Sequence, residues 1–316
     1  FGSSRSRLWF CGPGHFQWHA AGVEGMSGPA KGKGDLDTVV LKHASGATAE
    51  IYLWGATLTS YKTPDGTERI FCSPAAIFDG KKAVRGGIPL VFPQFGQPDK
   101  AMAQHGVARI STWTVAKVED SSESSVAMFT VSDNPETLEK WNHAFQLEYT
   151  VVLTAMSLKV TLKVINSGHS PFSFNFLLHT YLKIPDISSG TVCGLNGRTY
   201  VDKVAGGDPK VESSLEVTLP SYTDRVYVGD VPMPKDIVVK GVGGVPLFAL
   251  INEASVGVET KAVDMVIWNP YEEASPGDLP PPAFKEFVCV EPGLVNAFAG
   301  LPPAGTAELS QKIIPL

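Results

Sequence analysis

Two stretches near the middle of the chain repeat apolar side chains at every second position. From 145 to 153 every odd residue is apolar, and from 158 to 164 every even residue is apolar. A period of two is that of a β-strand with one face buried in a core. The connector Ala155-Met156-Ser157 is too short for a crossover, so the two stretches predict an antiparallel hairpin.

The rest of the chain after Thr38 repeats this pattern in short runs. Residues 49–54 and 56–61 predict a second hairpin split at Gly55, and Asn166-Ser167-Gly168 turns the chain into a run at Phe172–Tyr181. One short helix is predicted at Pro135–Asn142, capped by Asp133 or Asn134. Many closely spaced strands with almost no helix predict an all-β protein, a large antiparallel β-sandwich formed as one domain by residues 35–316.

Residues 1–34 differ from the remainder in having no hydrophobic period. They are rich in Gly, Ser and basic residues, and only Glu24 is acidic before Asp35. We interpret them as a disordered or non-native leader outside the fold. Their composition fits either the remnant of an organelle transit peptide or upstream sequence translated in error.

Charge and cysteine content exclude several classes of protein. A net charge of −6 argues against non-specific binding to nucleic acid or an anionic membrane, and no run approaches the roughly 18 apolar residues of a membrane helix. The four Cys are dispersed without a CxxC pair, which is not a zinc pattern and does not demand disulfides. We expect a monomeric cytoplasmic protein, or a plastid one if the leader is a transit-peptide remnant.

The segment 84–109 carries a dense set of polar residues on a backbone that Gly and Pro keep from forming a helix. Its candidate ligands are Arg85, Gln104, His105 and Arg109. Two Arg on a stiff wall are suited to an anionic ligand, whereas the alternative is that both are solvated and His105 is an ordinary loop residue.

Two further residues combine acid–base chemistry with a strand end. In the run 172–181, period two places the Phe residues on one face and His179 on the other. Glu291 ends an apolar strand just before Pro292-Gly293. Burying a carboxylate there costs free energy unless it has a partner or a catalytic role. A histidine such as His179 can accept and donate a proton near neutral pH. The alternative for Glu291 is that its side chain simply reaches water at the strand end.

Weaker candidates flank these two. Asp224 and Asp264 could accept sugar hydroxyl protons, and Trp268 could stack on a sugar face, although turn aspartates and core tryptophans usually have no such role. The Pro-rich loop 270–283 joins the Trp268 strand to the Glu291 strand and is predicted to overhang the same site. The sequence has no GxGxxG, P-loop, HExxH or GxSxG motif, so we expect no metal and no nucleotide cofactor.

Six ordered motifs resemble the hexose-6-phosphate mutarotases, or glucose-6-phosphate 1-epimerases, of the aldose 1-epimerase family. They are Arg85-Gly-Gly-Ile-Pro, Phe92-Pro-Gln-Phe-Gly, Gln104-His-Gly-Val-Ala-Arg, Leu178-His-Thr-Tyr, Val266-Ile-Trp-Asn-Pro and Val290-Glu-Pro-Gly. The resemblance covers Asp37 to the C-terminus and implies a galactose mutarotase-like supersandwich with the sugar on its concave face.

The resemblance also implies roles for individual residues. His179 would be the general acid and Glu291 the general base, with Arg85, Gln104, Arg109 and Asp224 as substrate ligands and His105 matching the family's second His. Interconversion of the α and β anomers of a hexose 6-phosphate needs no cofactor. Two alternatives stay open: a non-catalytic carbohydrate-binding sandwich, and a mutarotase for unphosphorylated aldoses in which the two Arg would be idle.

Overall fold

The computed structural model describes residues 29–229 and 237–316, and β-strands dominate this part of the chain. The strands β1 to β22 are, in chain order, Ala30–Lys31, Asp37–Lys42, Thr48–Tyr52, Thr57–Lys62, Leu90–Val91, Thr114–Asp120, Ser125–Ser132, Gln146–Leu153, Leu158–Ile165, Phe172–Leu178, Tyr181–Lys183, Thr191–Cys193, Thr199–Asp202, Pro209–Val211, Glu216–Thr218, Thr223–Tyr227, Ile237–Lys240, Pro246–Val256, Glu259–Lys261, Asp264–Asn269, Phe287–Leu301 and Thr306–Pro315. Helix α1 spans Pro135–Lys140, and single 3-10 turns lie at Lys33–Asp35, Ala108–Ile110, Ile187–Ser189, Val242–Gly244 and Ala283–Glu286.

The strands form three antiparallel sheets. A four-stranded sheet has the order β1-β2-β3-β4. An eight-stranded sheet runs β14-β13-β16-β20-β21-β10-β5, with β11 also paired to β21. A ten-stranded sheet runs β15-β12-β17-β18-β22-β9-β8-β7-β6, with β19 also paired to β18. The all-β architecture predicted from the strand pattern is therefore confirmed.

The two large sheets face each other across one apolar core. Strands β10 and β21 of the eight-stranded sheet contact β22 of the ten-stranded sheet, as two packed layers of a sandwich do. The opposite face of the eight-stranded sheet holds a small separate cluster of Val91, Leu177, Val226 and Val266. Because this cluster is small, the second face of the sheet is not filled by a core of its own, and a ligand-binding site can lie there.

Several local predictions are confirmed in detail. The 145–164 stretch forms the β8–β9 hairpin, with Leu153 opposite Leu158, and β3 pairs with β4 around Gly55. Helix α1 begins as predicted, because the Asn134 side chain accepts a hydrogen bond from the backbone of Thr137. It ends at Lys140, two residues earlier than predicted.

Residues 29–34 of the predicted leader fall within the described part of the chain. Ala30 and Lys31 pair with Thr38 and Asp37, and the Thr38 hydroxyl donates to the Ala30 carbonyl. This strand was missed because both of its residues are exposed and it has no apolar member at a buried position. Residues 1–28 of the predicted leader lie outside the described residues.

Within the described ranges, no helix has the length and apolar character needed to cross a lipid bilayer.

Candidate active site

His179 and Glu291 meet on the outer face of the eight-stranded sheet. His179 follows the end of β10, and its backbone N–H donates to the Pro89 carbonyl at 3.0 Å. Glu291 lies on β21 directly opposite Val266 of β20. The face predicted for His179 is confirmed, since Phe172, Phe174 and Phe176 point into the core instead.

The two side chains form a close and isolated pair. Nδ1 of His179 is 3.2 Å from Oε1 of Glu291, although the two atoms are not aligned as a hydrogen bond. His179 is 8% exposed and Glu291 is 1% exposed. Neither Nδ1 nor either carboxylate oxygen has a hydrogen-bond partner among the described residues. Buried polar atoms almost always have a hydrogen-bond partner, so these three atoms are available to bind a ligand.

The surroundings oppose charge on both members of the His179–Glu291 pair. Burial, reinforced by the positive charges of Arg109 and Arg85, lowers the pKa of His179 well below its ordinary value. Burial, reinforced by the negative charge of Asp224, raises the pKa of Glu291 well above its ordinary value. Each shift favours the uncharged form of the group concerned.

Both members of the pair line a cavity of about 320 Å³. Its wall also contains all the substrate ligands that the sequence suggested on the 84–109 segment and on β16, together with Trp268. These residues are Arg85, Gln104, His105, Arg109 and Asp224. The sequence motifs thus converge on one concave surface.

The two arginines on this wall differ in their partners. Nε of Arg85 donates to Oδ1 of Asp278 at 2.9 Å, and its Nη1 donates to the Tyr181 hydroxyl at 3.5 Å. Arg109 donates from Nη2 to the Gln104 carbonyl at 2.8 Å, while its buried Nε has no partner. Neither arginine forms an ion pair with Asp224 or Glu291 in the described residues. The positive charge of Arg109 at the cavity therefore has no acidic partner among the described residues.

His105 sits in a strained turn beside the pair. Its φ is +66°, in the left-handed region that few non-glycine residues adopt, and its ring lies 5.8 Å edge-on to that of His179. Nδ1 of His105 accepts the backbone N–H of Gly96 at 3.2 Å, which leaves the proton of the neutral ring on Nε2. The next residue, Gly106, also has a positive φ, and an added Cβ would lie 2.1 Å from the Phe92 carbonyl oxygen.

Asp224, Lys203 and Trp268 form another part of the cavity wall. Nζ of Lys203 is 3.7 Å from Oδ1 of Asp224 and 4.1 Å from the centre of the Phe95 ring. Asp224 and Trp268 are paired across β16 and β20. This side offers a carboxylate, an ammonium group and an aromatic surface, the groups that recognise sugar hydroxyls and sugar faces.

Asp264 does not belong to this group, although it was suggested as a sugar contact. Its carboxylate accepts backbone N–H groups from Gly229, Val295 and Asn296 at 2.7 to 2.8 Å. It does not line the cavity, and both oxygens are already occupied. Asp264 orders the chain around β20 and β21, so we do not retain it as a site residue.

The Pro-rich loop does overhang the site. Ala274 and Pro276 line the cavity, and Asp278 from the same loop pairs with Arg85. A second cavity of about 430 Å³ also borders Arg85 and Arg109, and the two cavities share only these arginines and Pro276 among the described residues. Of these two cavities, only the first is lined by His179 and Glu291.

Sequence reasoning missed three residues of this region. Lys203 lies in a turn with no motif around it, and Asp278 reaches Arg85 across 193 positions of sequence. Cys289 shares a strand face with Glu291 by period two, which is the signal that could have identified it. The ligand atoms of His179, Cys289 and Glu291 all lie within 4.8 Å of one another.

Comparisons with curated proteins find relatives that span most of the chain. A protein of Cenchrus ciliaris named "Putative glucose-6-phosphate 1-epimerase" is 32% identical over 278 residues, covering 85% of this chain and 81% of its own. A protein of the same name from Escherichia coli K12 is 30% identical over 282 residues, covering 88% of this chain and 90% of its own.

A solved structure and a family model agree with these relatives. A crystal structure from Salmonella typhimurium described as a "putative mutarotase" superposes with a TM-score of 0.76 at 26% identity, covering 89% of this chain and 90% of that one. Galactose mutarotase-like structures share the same fold at lower identity. The model of the family described as aldose 1-epimerase matches residues 37–302. The chain therefore belongs to the aldose 1-epimerase family of isomerases.

Proposed function

We propose that this enzyme interconverts the α and β anomers of D-glucose 6-phosphate and related hexose 6-phosphates. His179 acts as the general acid and Glu291 as the general base. The observation that carries the proposal is the buried His179–Glu291 pair, with Nδ1 and Oε1 3.2 Å apart and no other partners, on a cavity that also holds two arginines. A carbohydrate-binding module has no need of such a pair.

The reaction follows from the two groups. Glu291 takes the O1 proton as His179 gives a proton to the ring oxygen, so the C1–O5 bond breaks and O1 becomes a carbonyl oxygen. Rotation about C1–C2 presents the other face of the aldehyde. The roles then reverse: O5 attacks C1, His179 takes back the O5 proton, and Glu291 returns its proton to O1. Each positioned acid–base group contributes about 10²–10⁴-fold.

The arginines supply recognition of the phosphate. A dianionic group requires charged, fork-like donors, and a protein of net charge −6 offers them only locally. Arg109 has an unpartnered buried Nε, and Arg85 is held by Asp278 and Tyr181. Gln104, His105 and Asp224 complete the set of ligands for the sugar hydroxyls. The names of the two curated relatives, at 30–32% identity, support a phosphorylated substrate.

The same arginines link phosphate binding to the acid–base pair. Their charges, added to the effect of burial, help to lower the pKa of His179. A phosphate dianion beside the arginines offsets those charges, which raises the pKa of His179 toward the protonated form that a general acid needs.

The test is anomer exchange measured on the purified protein. Two-dimensional exchange NMR on the anomeric protons of glucose 6-phosphate at equilibrium gives the enzymatic rate directly, with glucose as the comparison sugar. We expect rapid exchange on the phosphate and much slower exchange on glucose. Equal rates on both would overturn the phosphate assignment, and no exchange above buffer on either would overturn the enzymatic one.

A further inference from the structure

We infer that His179, Cys289 and Glu291 together form a binding site for a soft divalent cation such as Zn²⁺, and that the bound ion blocks the enzyme. The ion is not a cofactor of the proposed reaction, because that reaction uses the metal-free side chains of His179 and Glu291. The inhibition rests on the function proposed for His179 and Glu291, whereas the binding itself does not.

The backbone brings the three ligands together on one sheet face. Cys289 and Glu291 are two residues apart on β21, so both side chains leave the strand on the same side. Cys289 is paired with Tyr181 of β11 and with Trp268 of β20, which places it next to His179 at the end of β10. The ligand atoms lie within 4.8 Å of one another, and Nδ1 of His179 lies 3.2 Å from Oε1 of Glu291.

The His179 and Glu291 atoms are already near the spacing of ligands on a tetrahedral ion, and a pair as far apart as 4.8 Å would have to close by about 1 Å. Zinc bonds of about 2.0–2.3 Å place neighbouring ligand atoms about 3.3–3.8 Å apart. The fourth position would face the cavity, because His179 and Glu291 line it, and water or a substrate oxygen can occupy it. A nitrogen, a sulfur and an oxygen ligand favour zinc or cobalt over magnesium or calcium, which prefer oxygen alone.

The ligands are also without other partners. All three residues are buried, and Nδ1 of His179 and both oxygens of Glu291 form no hydrogen bond among the described residues. Cys289 is a free thiol. An ion entering through the cavity would pair with these atoms by displacing the protons of the thiol and the carboxyl group.

The positively charged side chains near the three ligands lower the affinity for a cation, but most of their charge is balanced by acidic partners. Arg85 is neutralised by Asp278 at 2.9 Å, and Lys203 lies 3.7 Å from Asp224. Arg109 is the unpaired cation near the pair in the described part of the wall. Loss of two protons from Cys289 and Glu291 supplies two negative charges, which match the charge of the ion.

The experiment is a cobalt titration of the reduced, tag-free full chain, followed by its absorption spectrum. Co²⁺ held by a thiolate gives a charge-transfer band in the near ultraviolet and intense tetrahedral bands in the visible. We expect both in the wild type and in Cys193→Ser, a half-buried cysteine on another sheet, and neither in Cys289→Ser. Added Zn²⁺ should abolish the bands by displacing cobalt. It should also slow anomer exchange in the wild type, with full recovery on chelation.

A wild type without the charge-transfer band, or a Cys289→Ser protein that keeps it, would overturn the site, and so would loss of the band in Cys193→Ser. If Cys289→Ser fails to fold by circular dichroism, Glu291→Gln decides. It should weaken cobalt binding by more than about 100-fold, the upper end of what loss of an outer-shell partner costs, and a smaller loss would overturn the site. An inactive wild type would contradict the proposed function but leave the spectra decisive for the metal.

Discussion

The ring of Tyr181 lies parallel to the imidazole of His179, with centroids 4.9 Å apart and planes 11° apart. The Tyr181 hydroxyl accepts a hydrogen bond from Arg85 at 3.5 Å. One buried side chain therefore contacts both the proposed acid and a proposed phosphate ligand. Its ring also packs on Phe287, so its position is set by the core and does not depend on substrate.

Tyr181 should act on the reaction by positioning His179. Tyr181→Phe keeps the stacked ring and loses the contact with Arg85, so we expect weaker binding of glucose 6-phosphate with little change in the maximal exchange rate. Tyr181→Leu removes the flat surface and should lower the maximal rate itself. Exchange NMR at several substrate concentrations separates the two effects. Identical losses in both variants would contradict a positioning role for the ring.

Arg85→Ala and Arg109→Ala should each impair use of glucose 6-phosphate by about 2–5 kcal/mol, the cost of losing one partner of a buried charged contact. They should affect free glucose far less. Lys81→Ala, which removes an exposed cation from the same stretch of chain, is the matched control. The measurement is the ratio of exchange rates on the two sugars. Equal proportional losses would mean that the arginines only order the wall.

Glu291→Gln should stabilise the fold as the pH rises. The folded pKa of Glu291 is raised above its ordinary 4.5, so the folded chain binds a proton that the unfolded chain has lost. Stability of the wild type is therefore fully present below that value and falls as the pH rises toward the folded pKa. The glutamine variant lacks this loss, and each kcal/mol gained corresponds to a Tm increase on the order of 2 °C.

Thermal denaturation of both proteins from pH 5 to pH 8 checks this. The gap in Tm should widen with increasing pH. A gap that is constant, or that narrows, would mean that Glu291 ionises without cost in the folded protein.

Gly106→Ala should destabilise the protein by more than about 1 kcal/mol and also slow anomer exchange. Its φ is +75°, and the added Cβ would meet the Phe92 carbonyl oxygen at 2.1 Å, which displaces His105. Gly66→Ala is the control, since its φ is +82° and nothing lies within 4 Å of an added Cβ. Denaturant unfolding should give a larger loss at position 106, and equal losses would contradict the close approach.

Much of the fold could be predicted because its strands follow a simple rule. Alternation identified the β8–β9 hairpin and assigned His179 to the face opposite the Phe residues, and a period of two is a strong signal where one face is buried. The edge strand at Ala30–Lys31 escaped, because exposed residues leave no such pattern.

The site was predictable only where function left a local motif. Arg85, Gln104, His105 and Arg109 are close in sequence and are close in space. Lys203 and Asp278 join them through long-range packing, which a single sequence does not reveal. Asp264 was misassigned because an aspartate can accept hydrogen bonds from sugar hydroxyls or from backbone N–H groups equally well. Only the structure shows that it accepts from three backbone N–H groups.

The central claim is that His179 and Glu291 perform the proton transfers. The most direct measurement is the α–β exchange rate of glucose 6-phosphate, by exchange NMR, for His179→Asn and Glu291→Gln beside the wild type. Each variant keeps a side chain of similar shape and loses the titrating group, so each should lose about 10²-fold or more. Folded variants that exchange within about tenfold of the wild-type rate, less than one such group contributes, would contradict the mechanism.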